Sequence, residues 1–188
     1  MRHIRSFVAA ASLGLVAPLA AVAPASATPP LFETISEPFS DHIEDFCGIE
    51  GFTVDDNGTF QARLKISTRK SGIVYFLSHI TIDETLTGVE SGLSVTIHTA
   101  FIAKDLKIVD NGDGTLTITQ LLTGPSTLYG TDGKAIARDP GQVRFRIVVD
   151  TNGTLSDPSD DIELSFELIK GSTGRSDDYC GPIFAEIG

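Results

Sequence analysis

The sequence contains no tryptophan, only two cysteines and few basic residues. Carbohydrate-binding sites often rely on aromatic side chains, so the lack of tryptophan disfavours sugar binding. Fourteen lysine and arginine residues stand against 25 aspartate and glutamate residues, and no basic cluster offsets this excess. A chain of such charge repels phosphate backbones and anionic lipid surfaces. We therefore expect no nucleic-acid partner.

Several catalytic and metal-binding motifs are also missing. The sequence has no C-x-x-C pair for redox or zinc chemistry and no G-x-S-x-G elbow for a serine nucleophile. The segment Asp110–Gly114 resembles the start of a calcium loop, but glycines occupy its third and fifth positions, where an EF-hand needs oxygen ligands. We expect a hairpin turn there. The sequence identifies no catalytic residue and no cofactor.

The first 27 residues have the pattern of a secretory signal peptide. Arg2 and Arg5 precede an apolar run from Phe7 to Val22, and a small-residue cleavage site ends at Ala27. A retained membrane anchor is the alternative, but the run is short for a span. Cleavage would leave 161 of the 188 residues, with 12 basic residues against 25 acidic ones and a net charge of −13. We expect one secreted, acidic domain without a membrane span.

The two cysteines lie in similar segments near opposite ends of the expected mature chain. Cys47 follows Asp45-Phe46 and Cys180 follows Asp178-Tyr179, and a glycine comes after each cysteine. Two cysteines in an exported chain are typical of a disulfide. We predict a Cys47–Cys180 bond with Cα atoms about 4.4–6.8 Å apart.

Alternating apolar and polar residues, with a period of two, predict β-strands throughout the domain at residues 41–188. Residues 28–40, which contain three prolines, are predicted to be an extended lead-in. Asn-Gly and Asp-Gly pairs predict the turns between strands, since both residue types accept the positive φ of tight hairpins. The predicted turns are Asp56–Thr59, Asn111–Thr115, Asp132–Lys134 and Thr151–Thr154.

The apolar alternation also suggests how the strands pair. One hairpin aligns when residue numbers sum to 177, which places Ile80 opposite Ile97 and His79 opposite His98. A second, with a sum of 311, places Phe145 opposite Phe166 and Arg144 opposite Glu167. A third places Ile108 opposite Leu116 and Leu106 opposite Ile118.

These hairpins predict an all-β fold of about eight to ten strands. Long adjacent hairpins favour a single antiparallel barrel, since closure removes exposed edges, and a two-sheet sandwich is the alternative. In the barrel, the Cys47–Cys180 disulfide would join the first and last strands at the seam.

The signal peptide, Phe46-Cys47-Gly48, the Gly/Thr-rich strands and the closing Tyr179-Cys180-Gly181 resemble small secreted actinobacterial proteins without an assigned activity. The strand pattern is also similar in style to allene-oxide-cyclase and dirigent-type barrels. That resemblance implies a barrel, but it transfers no catalytic residue to this sequence.

Three groups of residues are candidates for site chemistry. His79 and His98, if directly opposed, could share a transition metal. Asp83 would be about 13 Å from His79 along an extended strand, too far for a third ligand. An acidic loop at Asp157, Asp160 and Asp161 is a candidate for calcium, and Glu163 and Glu167 are paired carboxylates on one strand face. For each group, a solvated polar surface is the ordinary interpretation.

We therefore expect a secreted, non-enzymatic β-barrel that acts by binding or surface interaction. One alternative is a lipocalin-like carrier of a small apolar ligand. Another is an enzyme similar to barrel-type cyclases or isomerases, which would need convergent polar groups in a pocket. The sequence leaves the oligomeric state open.

Overall fold

The computed structural model describes residues 29–69 and 71–188, and the predicted signal peptide lies outside this range. The described chain forms one seven-stranded antiparallel sheet in which every strand pairs with its neighbours in sequence. A short 3₁₀ turn, Phe46–Gly48, follows the first strand, and a helix, α1, Cys180–Ile187, ends the chain. The strands are β1 Leu31–Ile43, β2 Val54–Thr68, β3 Val74–Gly88, β4 Ser94–Asp110, β5 Thr115–Tyr129, β6 Ala135–Asp150 and β7 Ile162–Lys170.

The all-β prediction is confirmed, but the predicted barrel is not. The sheet is not closed, and β1 and β7 are its two edges. In a meander of seven strands the first and last run in the same direction, so closure would require a parallel pair. Parallel pairs are slightly less stable than antiparallel ones. The described strands number seven rather than eight to ten, and they form one sheet rather than the alternative two-sheet sandwich.

One face of the sheet, here called the inner face, carries the buried apolar side chains. Helix α1 and the 3₁₀ turn pack against one end of it through Phe46, Ile183 and Ile187. Ile80 and Ile82 occupy the middle, and Ile108 lies in a third cluster at the far end. Burying such side chains contributes about 1.5–3 kcal/mol each, so these clusters stabilise the sheet. The opposite, outer face is mostly polar.

The predicted disulfide is present, at a place the sequence did not indicate. Cys47 and Cys180 are bonded, with Cα atoms 5.7 Å apart. Cys47 belongs to the 3₁₀ turn after β1, and Cys180 is the first residue of α1. The bond therefore joins the helix to the β1–β2 connection, and it does not lie between the first and last strands. The helix was not predicted from the sequence.

Two local predictions near the N-terminus are wrong. The lead-in at residues 28–40 is largely strand, because β1 begins at Leu31 and pairs with β2 along its whole length. Asn57-Gly58 is not a turn but lies inside β2. Gly58 lacks a positive φ, and a Cβ there would lie 2.3 Å from the Phe39 ring. This glycine is needed for close approach rather than for a turn. The other three predicted turns are confirmed.

All three predicted registers are wrong in their offset. In β3 and β4 the paired numbers sum to 181, so Ile80 lies opposite Phe101, and His79 lies opposite Ile102 rather than His98. Phe145 pairs with Leu168, and Arg146 replaces Arg144 as the partner of Glu167. Ile108 pairs with Ile118 rather than Leu116, beyond an irregularity between Asp105 and Lys107. The side chains of β3 and β4 still lie on the faces predicted for them, because the predicted and observed registers differ by an even number of residues.

Candidate functional site

The outer face carries a groove of about 460 Å³ that crosses strands β2 to β5 near the end that α1 covers on the inner face. Two neighbouring rows of cross-strand partners form it. One row runs Asn57, Thr85, Thr96 and Tyr129, and the other runs Thr59, Asp83 and His98. Because directly paired residues of adjacent strands share a face, these side chains all project to the same side. The groove is therefore lined by hydroxyl, amide, carboxylate and imidazole groups with one aromatic ring.

The best-defined contact in the groove is between Asp83 and His98. His98 Nδ1 and Asp83 Oδ1 are 2.6 Å apart, and both side chains are about half exposed. With the proton on Nδ1, the imidazole donates to the carboxylate, which fixes the ring and leaves Nε2 available to a partner. Because the imidazole is half exposed, a molecule that enters the groove can reach it.

A second pair of the same chemistry lies outside the groove. His42 Nδ1 and Asp55 Oδ1 are also 2.6 Å apart and half exposed, and they are direct partners of β1 and β2. His42 and Asp55 do not line the groove. The described residues thus contain two matched histidine–aspartate pairs, of which one lies in the groove.

The sequence-predicted histidine site is not formed. His79 faces away from the buried side and lies opposite Ile102, while His98 contacts Asp83. Within residues 29–69 and 71–188, no group of three or more histidine, cysteine, aspartate or glutamate side chains is arranged to hold a metal ion. Asp83, which the sequence placed too far from His79, is instead the partner of His98. The Asp83–His98 pair was missed because the sequence pattern did not give the correct register of β3 with β4.

The acidic loop is held by its own hydrogen bonds. Asp157 accepts hydrogen bonds from the backbone and hydroxyl of Ser159, and Asp160 accepts one from the Thr154 hydroxyl. Burial, together with the neighbouring Asp160, Asp157 and Asp150, raises the pKa of Asp161 to about 6. Glu167 contacts Arg146 at 2.9 Å, an exposed ion pair. These contacts account for the loop and for Glu167 without a bound cation.

The inner face carries acidic side chains between the helix-covered end and the middle. Asp41 and Asp56 are direct partners, and Glu84 lies one strand further, opposite Gly58. Burial, and after it the charge of Asp56, raises the pKa of Glu84 to about 7. Burial and the charge of Asp41 raise the pKa of Asp56 to about 6. Sequence alternation could have placed these residues on the inner face, but their burial is a property of the folded sheet that alternation does not give.

Further polar groups lie on the inner face beside these acidic side chains, on strands β4 to β6. The Thr99 and Ser126 hydroxyls are 2.8 Å apart on neighbouring strands. Asp139 is the direct partner of Ser126, and burial raises the pKa of Tyr179, which neighbours both of them. The inner face is therefore not uniformly apolar.

Fold and site together define a disulfide-bonded antiparallel β-meander, capped by a C-terminal helix and carrying a polar groove on its outer face. No family model, curated protein or solved structure matches this chain. No helix among the described residues has the length and apolar character needed to cross a membrane.

Proposed function

We propose that this chain is a secreted, non-enzymatic binding protein whose outer-face groove holds a polar, hydrogen-bonding group of its partner. The observation that carries the proposal is the lining of the groove. Thr59, Thr85 and Thr96 supply short hydroxyls from three adjacent strands, and His98 is oriented by Asp83. Rigid strands position such groups with little entropy left to lose on binding.

The lining favours binding over catalysis. A nucleophilic site would pair the oriented imidazole with a serine or cysteine, and neither residue is among those that line the groove. Secretion remains part of the proposal, supported by the disulfide and by the N-terminal sequence pattern. The resemblance to small secreted actinobacterial proteins agrees with export and assigns no activity.

The test is a binding titration followed by NMR, with neutral oligosaccharides, short polar peptides and a fatty acid as probes. A polar probe should shift the amide signals of Thr85, Thr96 and His98. His98→Ala should weaken its binding about tenfold, the effect of losing one or two hydrogen bonds. His42→Ala is the matched control, because it removes an equivalent histidine–aspartate pair outside the groove. Binding of the fatty acid alone, or equal effects of the two variants, would contradict the proposal.

A second candidate is an enzyme of the cyclase or isomerase type, acting at the inner face. The raised pKa values of Asp56 and Glu84 support it, because general acids and bases work best with pKa values near the working pH. Mass spectrometry of host metabolite extracts, incubated with the wild type or with Glu84→Gln, tests it. Identical metabolite profiles would remove this candidate. An apolar carrier is less well supported, since polar groups cross the inner face.

A further inference from the structure

The edge strand β7 leaves an unusual amount of apolar surface exposed. Every residue of β7 is exposed, including Leu164 and Leu168, which are 56% and 55% exposed. Phe166 packs on Phe145, with ring centroids 4.6 Å apart, yet it is still 38% exposed. Among the described residues, β7 pairs only with β6. Its other edge therefore presents backbone donors and acceptors beside apolar side chains.

The opposite edge of the sheet has protection that β7 lacks. Strand β1 contains Pro38, and its inner face carries the charged residues Glu33, Glu37 and Asp41. Proline and inward-pointing charges are the usual means by which edge strands avoid pairing with other chains. Strand β7 has no proline, and its central residues on the inner face are all apolar. An edge that is not blocked is the one suited to a partner strand.

Irregular pairing at both ends limits where a partner strand could bind. The register of β6 with β7 shifts between Arg144 and Phe145 and again between Val148 and Val149. Between these irregularities, residues 165–168 pair regularly with β6, and Leu164 and Ile169 lie at the irregularities themselves. A regular partner strand therefore has four residues of β7, Phe166 among them, to pair with, and few possible registers.

From these features we infer that β7 pairs antiparallel with β7 of a second copy of this chain, around a two-fold axis at Phe166. The two sheets then join into one sheet of 14 strands, twice the seven of each copy. Such an interface is self-complementary and closes with two copies, so it does not propagate into fibres. The dimer would form independently of the groove and of its proposed binding role.

Charge complementarity selects this register over its neighbours. With Phe166 opposite itself, Leu164 lies opposite Leu168 of the second copy, and Ser165 lies opposite Glu167. Moving the two-fold axis one residue forward, to Glu167, places Glu167 opposite Glu167. Moving it one residue back, to Ser165, places Glu163 opposite Glu167. Like charges directly opposed on neighbouring strands are destabilising, so the register centred on Phe166 is favoured.

The ends of the paired strands are also complementary. Strand β7 ends at Lys170 and begins directly after the acidic loop that contains Asp157, Asp160 and Asp161. Antiparallel pairing places Lys170 of each copy beside the acidic loop of the other. Burial, and after it repulsion from the neighbouring carboxylates, raises the pKa of Asp161, and a nearby ammonium group would relieve the repulsion.

The test is the molar mass of the purified chain, measured by sedimentation or by light scattering over a range of concentrations. Ser165 is the informative position, because it is exposed and lies opposite Glu167 twice in the symmetric dimer. Ser165→Glu should weaken dimerisation about tenfold or more, whereas Ser165→Lys should strengthen it several-fold. Neither substitution touches the buried core, so circular dichroism should be unchanged. A monomer at every concentration, or equal dimerisation by both variants, would overturn the inference.

Cross-linking supplies a second, independent test. Both native cysteines are in the disulfide, so Phe166→Cys introduces a single free thiol. Under mild oxidation, this variant should form a covalent dimer efficiently. Phe32→Cys, on the β1 edge, is the control and should cross-link poorly even though Phe32 is more exposed than Phe166, at 69% against 38%. Preferential cross-linking of Phe32→Cys, or growth into species larger than a dimer, would instead indicate pairing through β1 and would overturn the inference.

Discussion

Cys47, in the 3₁₀ turn after β1, is bonded to Cys180, the first residue of α1, across 133 positions of sequence. The bond fixes the start of the helix, while Ile183 and Ile187 pack its other turns into the core of the helix-covered end. It is the covalent link that holds the cap on the sheet. Replacing both cysteines with alanine should lower the free energy of unfolding by about 2–5 kcal/mol. Urea denaturation with and without the substitutions measures this, and an unchanged midpoint would contradict it.

Glu84 and Asp56 should make the fold more stable in mild acid. The pKa of Glu84 is about 7 in the folded chain against an ordinary 4.5, so the folded state binds this proton more tightly than the unfolded state. Protonation therefore favours folding. The free energy of unfolding should rise as the pH falls from about 8 to about 5, with Glu84 contributing on the order of 1–3 kcal/mol.

Glu84→Gln should flatten that pH dependence, because glutamine carries no charge at any pH in this range. Glu90→Gln, in the exposed β3–β4 turn, is the matched control and should leave the slope unchanged. Carboxyls with lowered pKa values, such as Asp113, act in the opposite direction, but only below their ordinary value of 3.8. Denaturant midpoints measured across the range provide the test. A stability that rises with pH would refute the assignment.

Gly124 should resist substitution because of its packing. A Cβ there would lie 2.1 Å from the carbonyl oxygen of Ala100 and 2.5 Å from the Cα of Phe101, both in β4. Gly124→Ala should therefore destabilise the fold by about 1–3 kcal/mol, the usual cost of overpacking. Gly171 has open space around its Cβ position and is the control. Thermal unfolding of the two variants should separate them clearly, and equal melting temperatures would count against the β4–β5 contact.

Paired cysteine substitutions can test the β3–β4 register directly. Asp83 and His98 are direct partners, whereas His79 lies opposite Ile102. The double variant Asp83→Cys/His98→Cys should cross-link within one chain, since opposed Cβ atoms lie about 4.5–5.5 Å apart. The variant His79→Cys/His98→Cys should not. Peptide mapping after oxidation identifies the bonds, and the reverse pattern would restore the register predicted from sequence.

The β3–β4 hairpin illustrates what sequence could and could not predict. Alternation assigns Ile80 and Phe101 to the inner face, because successive side chains of a strand point to opposite faces of the sheet. Sliding one strand by an even number of residues preserves that pattern, so alternation alone cannot choose between Ile97 and Phe101 as the partner of Ile80. The offset depends on the β3–β4 connection, where the Gly88 N–H donates to Leu93 and the Val89 N–H donates to Thr53. The site was missed for the same reason, since the Asp83–His98 pair exists only in the correct register.

Gly58 and the disulfide both show how far the structural role of a residue can be predicted from its type. Cys47 and Cys180 could be paired correctly because the chain has no other cysteine. Asn57-Gly58 carries an equally clear turn signal, but a Cβ at Gly58 would lie 2.5 Å from the backbone carbonyl oxygen of Asp83 and 2.3 Å from the ring of Phe39, so that place requires a glycine. A residue type can satisfy either a local or a tertiary requirement, and local sequence does not distinguish them. The helix α1 has only eight residues, which is too short for a strong periodic signal.

The order of strands in the sheet has a consequence for the order in which the chain can fold. Every strand pairs with its neighbours in sequence, so each hairpin can form without waiting for distant parts of the chain. Local contacts of this kind favour rapid folding. Cys180 follows Cys47 by 133 positions and lies beyond all seven described strands. The disulfide therefore adds one long-range constraint to a sheet whose own strand pairings are all local.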